Sequence, residues 1–472
     1  MGGEWKTTAL DSLCELIADC PHSTPVWTAS GAIVLRSQNI RGGRLDLSSP
    51  SYTDEEHFQD RIRRAEPTVG DIVITREAPM GEVCQIPPGL RCCLGQRMVL
   101  LRPNHLRADS RYLLFALQSR AVQTQIMWAE GTGSTVSNLR IPDLKKLKIP
   151  SPPINKQRAI AHILGTLDDK IELNRRRNQT LEAMARALFK DWFIDFGPVR
   201  RNAAKAQNQP SPGLRPPSPR GRGFENTAHE PLPSPPGRGA GGEGVIEGQT
   251  FDHLFPDRLD DEGKPEGWVL GSVEDLCSSI TSGGTPARKK SIFWDGGTIP
   301  WFKTGELQDG PLLDSEEKIT ETALQESSCK LWPAGTILFA LYASPTVGRL
   351  GVLTSPATSN QAAAGLIAKE SIGVPFLRRA LLEAREKLQN IAVGAAQQNI
   401  NQAILKTHRL ALPPACMCAH YSKLVRRWDD QQVQLAYETR TLAQLRDTLL
   451  PKLISGELRI ADAEKFIERA EI

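Results

Sequence analysis

The chain has 472 residues, is 40% hydrophobic and 24% charged, and carries a net charge of +4. That length allows two to four domains, and no run approaches the ~18 apolar residues of a membrane span. Glu4, Lys6 and Asp11 interrupt the apolar core a secretory leader would need, and Lys6 stands where a myristoylation site beginning at Gly2 requires Ser or Thr. The nine cysteines include no C-x-x-C pair, which argues against a zinc ribbon or redox motif and for reduced, mostly buried thiols in a cytoplasmic protein. The small positive excess permits a polyanion partner without arguing for one.

In chain order, the first 153 residues read as short strands mixed with helices. Ile72-Val73-Ile74 is β-branched and suits a buried strand. Tyr112 to Trp128 has helical spacing and leads into a turn-like stretch, Gly131-Thr132-Gly133-Ser134-Thr135. After Pro152-Pro153, apolar residues at Ile160, Leu164, Leu167, Ile171, Leu181, Ala185, Leu188 and Trp192 alternate spacings of four and three, a heptad seam broken by Asn174 and Asn178. A helix from Lys156 to Trp192 would be ~55 Å long at 1.5 Å per residue. Pro210 to Gly248 holds 9 Pro and 9 Gly in 39 residues, the composition of a flexible linker.

The rest repeats the beginning. Trp5, Leu10, Leu13 and Cys14 return as Trp268, Val273, Leu276 and Cys277. Gly70, Ile72, Val73 and Gln96 return as Gly335, Ile337, Leu338 and Gln361. Gly133, Asn138, Leu144, Lys145, Lys148, Pro152 and Pro153 return as Gly394, Asn399, Leu405, Lys406, Arg409, Pro413 and Pro414. Thr336 to Phe339 matches the first buried strand, and Phe376 to Ile391 matches the first helix. A second seam follows at Tyr421, Val425, Trp428, Leu435, Leu442, Leu449 and Leu453, with Gln432 and Thr439 as its polar members. Two copies of one unit of roughly 190 residues, each a mixed domain followed by a long helix, account for the pattern. Each helix is too long to bury its seam on one small domain, so its expected partner is the other helix.

Catalytic motifs do not emerge. Gly237-x-Gly239-x-x-Gly242 lies in the Pro-rich linker with no strand before it and no helix after it. None of the five Pro-Pro pairs follows the Asn or Asp that an adenine methyltransferase needs. Pro256-Asp257 with Glu262-x-Lys264 lacks strands to place metal-binding carboxylates. A phosphate-binding G-x-x-x-x-G-K-[ST] loop is missing, and His57, His162 and His420 lack ligand spacing. What remains is a duplicated, mildly basic scaffold, suited to a target of matching twofold symmetry such as duplex DNA.

The same residues carry a family resemblance. The chain resembles the specificity subunit of type I restriction-modification systems. The resemblance rests on Trp268 to Leu276, on Gly133 to Asn138 and Gly394 to Asn399, and on the double prolines before each long helix. It also rests on Phe189-Lys190-Asp191-Trp192-Phe193-Ile194-Asp195-Phe196-Gly197-Pro198-Val199-Arg200, and on Leu254 to Asp257 with Pro265 to Trp268. It covers the chain apart from Pro210 to Gly248, and the first copy lacks Pro-x-Gly-Trp before Trp5.

The resemblance implies an α+β fold: two similar α/β target recognition domains separated by two long antiparallel helices forming a coiled coil, a pseudo-twofold internal repeat. The expected boundaries are a first recognition domain at 1–153, a first spacer helix at 154–196 and a linker at 197–265. A second recognition domain at 266–414, a second helix at 415–460 and a tail at 461–472 complete them. Each domain would read one half of a split asymmetric site in double-stranded DNA. The helices would dock two modification subunits, which carry S-adenosylmethionine. Restriction subunits would use ATP and Mg to cleave, as in phage defence. No cofactor, metal or catalytic residue is expected in this chain.

Polar side chains in expected loops are the candidate readers, because Arg pairs bidentately with guanine and Asn or Gln with adenine. In the first domain these are Arg36, Ser37, Asn39, Arg41, Arg44, Arg76, Thr132, Ser134, Thr135 and Ser137. In the second they are Lys303, Thr304, Glu306, Tyr342, Arg349, Gln397, Gln398 and Asn401. Two alternatives stay open: a fused DNA-modifying enzyme, and a repeat-built scaffold for protein interaction that never touches DNA.

Overall fold

Ile72-Val73-Ile74-Thr75 forms a strand buried at all four positions, as β-branched residues covered on both faces should. It is an inner strand of a four-stranded sheet ordered 14–19, 98–103, 72–75, 83–85, all antiparallel. A three-stranded sheet lies beside it in the same domain. There Ala32–Leu35 pairs antiparallel with Ser51–Thr53 and parallel with Cys92–Leu94. The computed structural model describes residues 5–129, 138–207, 251–342, 345–393 and 399–469.

The second domain repeats this topology. Its larger sheet runs 277–282, 363–368, 337–340, 350–353, with 311–312 added at the edge. Its three-stranded sheet pairs Ile299–Phe302 antiparallel with Glu317–Ile319 and parallel with Thr358–Ser359. Each domain is closed by a two-stranded ribbon, Thr7–Ala9 with Lys148–Pro150 and Val269–Ser272 with Arg409–Leu412. The expected α+β class and internal repeat are thus present.

The expected Tyr112 to Trp128 helix is two helices, Ser110–Gln118 and Arg120–Trp128. Ser119 breaks it: its backbone is extended, and its hydroxyl donates to the Ala116 carbonyl at 2.6 Å. Ser competes in this way for helical carbonyls. The second domain has Glu383 in that region, a good helix former, and its helix continues unbroken from Val374 to Val393.

The first long helix spans Ile154–Phe193 and the second Ala415–Ser455. Contacts divide the chain into two units, one of residues 1–175 with 438–472 and the other of residues 176–437. Each unit therefore holds one mixed domain and a segment of both long helices. Within the first unit, Asp168 meets Arg446 and Asn174 meets Glu438. Within the second, Asn178 meets Gln432 and Ala185 meets Tyr421. Partner numbers fall as helix numbers rise, so the segments run antiparallel in each unit.

Most seam residues are buried: Ile160, Leu164, Leu167, Ile171, Ala185, Trp192, Tyr421, Val425, Trp428, Leu435, Leu442, Leu449 and Leu453. Leu181 and Leu188 are only half-buried. Phe189 takes the interior place beside Leu188 and packs edge-on to Tyr421 at 5.5 Å between ring centres. A straight helix drifts against a strict seven-residue repeat, so the buried stripe moves one position by this turn.

Two segments differ from the expected linker and tail. Gly197–Gln207 is a helix whose Arg201 and Lys205 bind Asp252, while Asn202 donates to the Asp252 and Phe255 carbonyls. Ile460–Arg469 is also helical, and its Ala463 is fully buried in the first unit's core. The Pro210 to Gly248 stretch lies outside the described residues. All nine cysteines are free, and burial pushes the thiols of Cys84 and Cys92 up to about 12.

Candidate nucleic-acid interface

In each unit a corner follows the first strand of the three-stranded sheet. The chain leaves Ala32–Leu35, turns through Ser37–Asn39 and enters a small Gly42-Gly43 hairpin. The second unit does the same after Ile299–Phe302, turning through Thr304–Glu306. Both turns are fastened by their third residue. The Arg36 backbone N–H donates to Asn39 Oδ1 at 2.9 Å, and the Lys303 backbone N–H donates to Glu306 Oε1 at 2.8 Å. Asn39 Nδ2 also donates to the Asp46 carbonyl, and Glu306 Oε2 accepts from the Glu316 N–H.

This geometry sorts the candidate readers. Asn39 is buried and, like Glu306, holds the turn together instead of facing outward. Thr304 is buried as well. Arg76 donates to the Leu139 carbonyl at 3.0 Å and pairs with Asp19 at 3.0 Å. Arg44 turns away to Asp168 on the first long helix at 3.2 Å. Asn401 caps the helix Gln402–Thr407, accepting from the Ile404 N–H at 2.8 Å. Tyr342 packs, half-buried, against the second unit's core. Lys303 is held by Glu316 and Glu317, which push its ammonium pKa up.

Four candidates remain available. Arg36 is exposed, has no carboxylate partner among the described residues, and lies 5.3 Å from the ring centre of half-exposed Trp27. Ser37 and Arg41 sit on the same corner, half-buried and exposed. Arg349, half-buried, makes no ion pair among the described residues. Thr132, Ser134, Thr135, Ser137, Gln397 and Gln398 lie outside the described residues.

One group escaped the sequence reasoning. Arg288 stacks on Trp294 at 4.0 Å and on Trp301 at 4.7 Å, and its guanidinium pairs with Glu317. That contact holds the Glu317 carboxyl below the usual carboxylate range. Exposed Lys289 and Lys290 follow, with Lys290 over the Phe293 ring at 4.6 Å. Aromatic-backed cations in a loop are a surface for phosphates and bases. The signal was the run Arg288-Lys289-Lys290 between Gly283-Gly284 and Trp294.

Among the described residues no group of His, Cys, Asp and Glu is placed to hold a metal ion. No described helix is long and apolar enough to cross a membrane. The described residues thus form a duplicated mixed domain, each copy seated on an antiparallel helix pair and carrying a fastened corner turn.

The family model for the type I restriction modification DNA specificity domain matches residues 3–183 and 265–416. The chain belongs to that family, whose type I specificity subunits are non-catalytic DNA-recognition subunits. The MjaIX type I restriction enzyme specificity subunit of Methanocaldococcus jannaschii is 24% identical over 398 residues, 83% of this chain and 78% of the relative. The HindI specificity subunit of Haemophilus influenzae is 27% identical over 389 residues, 77% of this chain and 80% of the relative. The crystal structure of a type I restriction-modification S subunit from M. genitalium aligns with a TM-score of 0.52 at 16% identity, covering 96% of each chain, which supports the fold.

Proposed function

We propose that this chain reads a bipartite, asymmetric site in double-stranded DNA, one half per mixed domain. The observation that carries the reading is the repeated corner. In both units a fastened turn sets a cation at one position, Arg36 or Lys303, with aromatic-backed arginines nearby in Arg36 on Trp27 and Arg288 on Trp294 and Trp301. Cations on flanking surfaces fix phosphates, and side chains on the corners read base edges. Arg36, Ser37, Arg41, Arg288 and Arg349 are the readers the geometry favours.

The long helices would dock two modification subunits, which bring S-adenosylmethionine. Restriction subunits with ATP and Mg would join them in the cytoplasm, where the DNA is. The test is replacement of residues 1–150 by the matching domain of a relative, with modification subunits added and methylated sites mapped. One half of the recognised site should change and the other stay. A change in both halves, or in neither, overturns the reading.

A further inference from the structure

The two domains are fastened to their helices by different chemistry. The helices Ser110–Gln118 and Val374–Val393 begin alike, with the Leu113 N–H on the Asp109 carbonyl and the Leu377 N–H on the Gly373 carbonyl. In that register Leu114 and Phe115 correspond to Arg378 and Arg379, and all four are buried. The shift of 261 between the long helices places Asp168 on Asp429, Glu182 on Ala443 and Ala185 on Arg446.

In the first unit Asp168 is answered from both sides, by Arg446 of the other long helix and by Arg44 of the domain at 3.2 Å. Arg111 of the domain pairs with Asp169, while the positions matching Arg378 and Arg379 are apolar. Arg446 Nη1 donates to Asp168 Oδ1 at 2.8 Å, and Leu114 and Phe115 join an apolar core with Leu164, Leu167, Leu442 and Leu449. In the second unit the helix pair presents two carboxylates, Asp429 and Glu182. Both are answered from the domain. Arg379 grips Asp429 with two nitrogens at 2.7 and 2.6 Å and Glu182 at 2.8 Å, and Arg378 reaches Glu182 at 3.1 Å.

We propose that this difference is a positional key, in which each domain fits its own helix pair and is rejected by the other. The first domain on the second helix pair would bring Arg44 to Asp429, the counterpart of Asp168, but would set Leu114 and Phe115 against Glu182 and leave that carboxylate without its two guanidinium partners. The second domain on the first pair would bury two guanidinium groups beside Arg446, with one carboxylate already engaged. Removing one side of a buried ion pair costs far more than replacing both sides by apolar groups. The key fixes which domain occupies which position. On the DNA-reading interpretation given above, it thereby fixes the order of the two half-sites.

The test is a cycle of full-length variants read by thermal unfolding, which requires no DNA and so stands or falls apart from the DNA reading. Arg378→Leu with Arg379→Phe should lower the melting temperature by roughly 10 °C. Adding Glu182→Ala and Asp429→Asn should restore more than half of that loss. The reciprocal set, Leu114→Arg with Phe115→Arg and then Ala443→Glu with Arg446→Ala, should show the same loss and recovery in the first unit. It also covers the case in which the first set fails to fold. If domain and helix changes add independently in both sets, with no recovery, the key does not exist.

Discussion

Asn174 Nδ2 donates to Glu438 Oε2 at 2.9 Å, joining the two long helices inside the first unit at a seam position where Asn174 is fully buried. Its Oδ1 has no hydrogen-bond partner among the described residues. A polar residue at such a position fixes register at a cost in stability. Asn174→Leu should therefore stabilise the protein by about 1 kcal/mol, because Lys170 still compensates Glu438. Chemical denaturation measures this, and a destabilisation of that size would show that the Asn174–Glu438 bond outweighs its desolvation.

Burial along the seam sets a gradient of mutational cost. Leu167 is fully buried and Leu181 only half-buried. Leu167→Ala should cost about 2–5 kcal/mol, and Leu181→Ala distinctly less. Equal losses in urea unfolding would mean that the seam runs through Leu181 after all.

Arg76 and Arg36 should separate stability from recognition. Arg76 is tied to Asp19 and the Leu139 carbonyl, so Arg76→Ala should lower stability by about 1–3 kcal/mol, the price of unpaired buried groups. Arg36→Ala should leave stability within about 0.5 kcal/mol and weaken binding to DNA carrying the first half-site. Thermal unfolding and a DNA-binding titration on both variants check this, and reversed effects would reassign the two arginines.

The Arg288–Glu317 contact gives an acid signature. Arg288, with Lys303, lowers the Glu317 pKa in the folded protein. Its contribution is therefore present above the unfolded glutamate value, about 4.3, and is lost as pH falls through the lower folded value. The melting difference between the wild type and Glu317→Gln should be constant above about pH 5.5 and shrink towards pH 3. A difference that grows on acidification would reverse the sign of the shift.

The duplication was legible in the sequence because glycines, prolines and buried strand residues such as Gly70/Gly335 and Ile72/Ile337 keep their spacing under any surface change. The helix seams were legible from periodicity, apart from the slip from Leu188 to Phe189, where register against the partner decides. Individual readers were not. Asn39, Arg76 and Asn401 look like exposed polar residues until their partners, Asp46, Asp19 and the Ile404 N–H, are brought in from elsewhere in the chain or the next helical turn. Arg288 needed Trp294 and Trp301 folded around it before its place became visible.

The first unit is assembled from both ends of the chain. Trp5 Nε1 donates to the Leu453 carbonyl at 3.1 Å, and Leu442, Leu449, Leu453 and Ala463 complete the core begun by Leu10 and Leu13. The second unit is a single continuous stretch of chain. On the ribosome the segment from residue 438 onward emerges after the whole of the second unit, at roughly 5–20 residues per second. The domain translated first thus has to wait for its closing helix, holding Ile160, Leu164 and Leu167 uncovered, while the domain translated later closes first. A chain cut short after Tyr437 would keep every residue of the second unit and still leave the older domain unfinished.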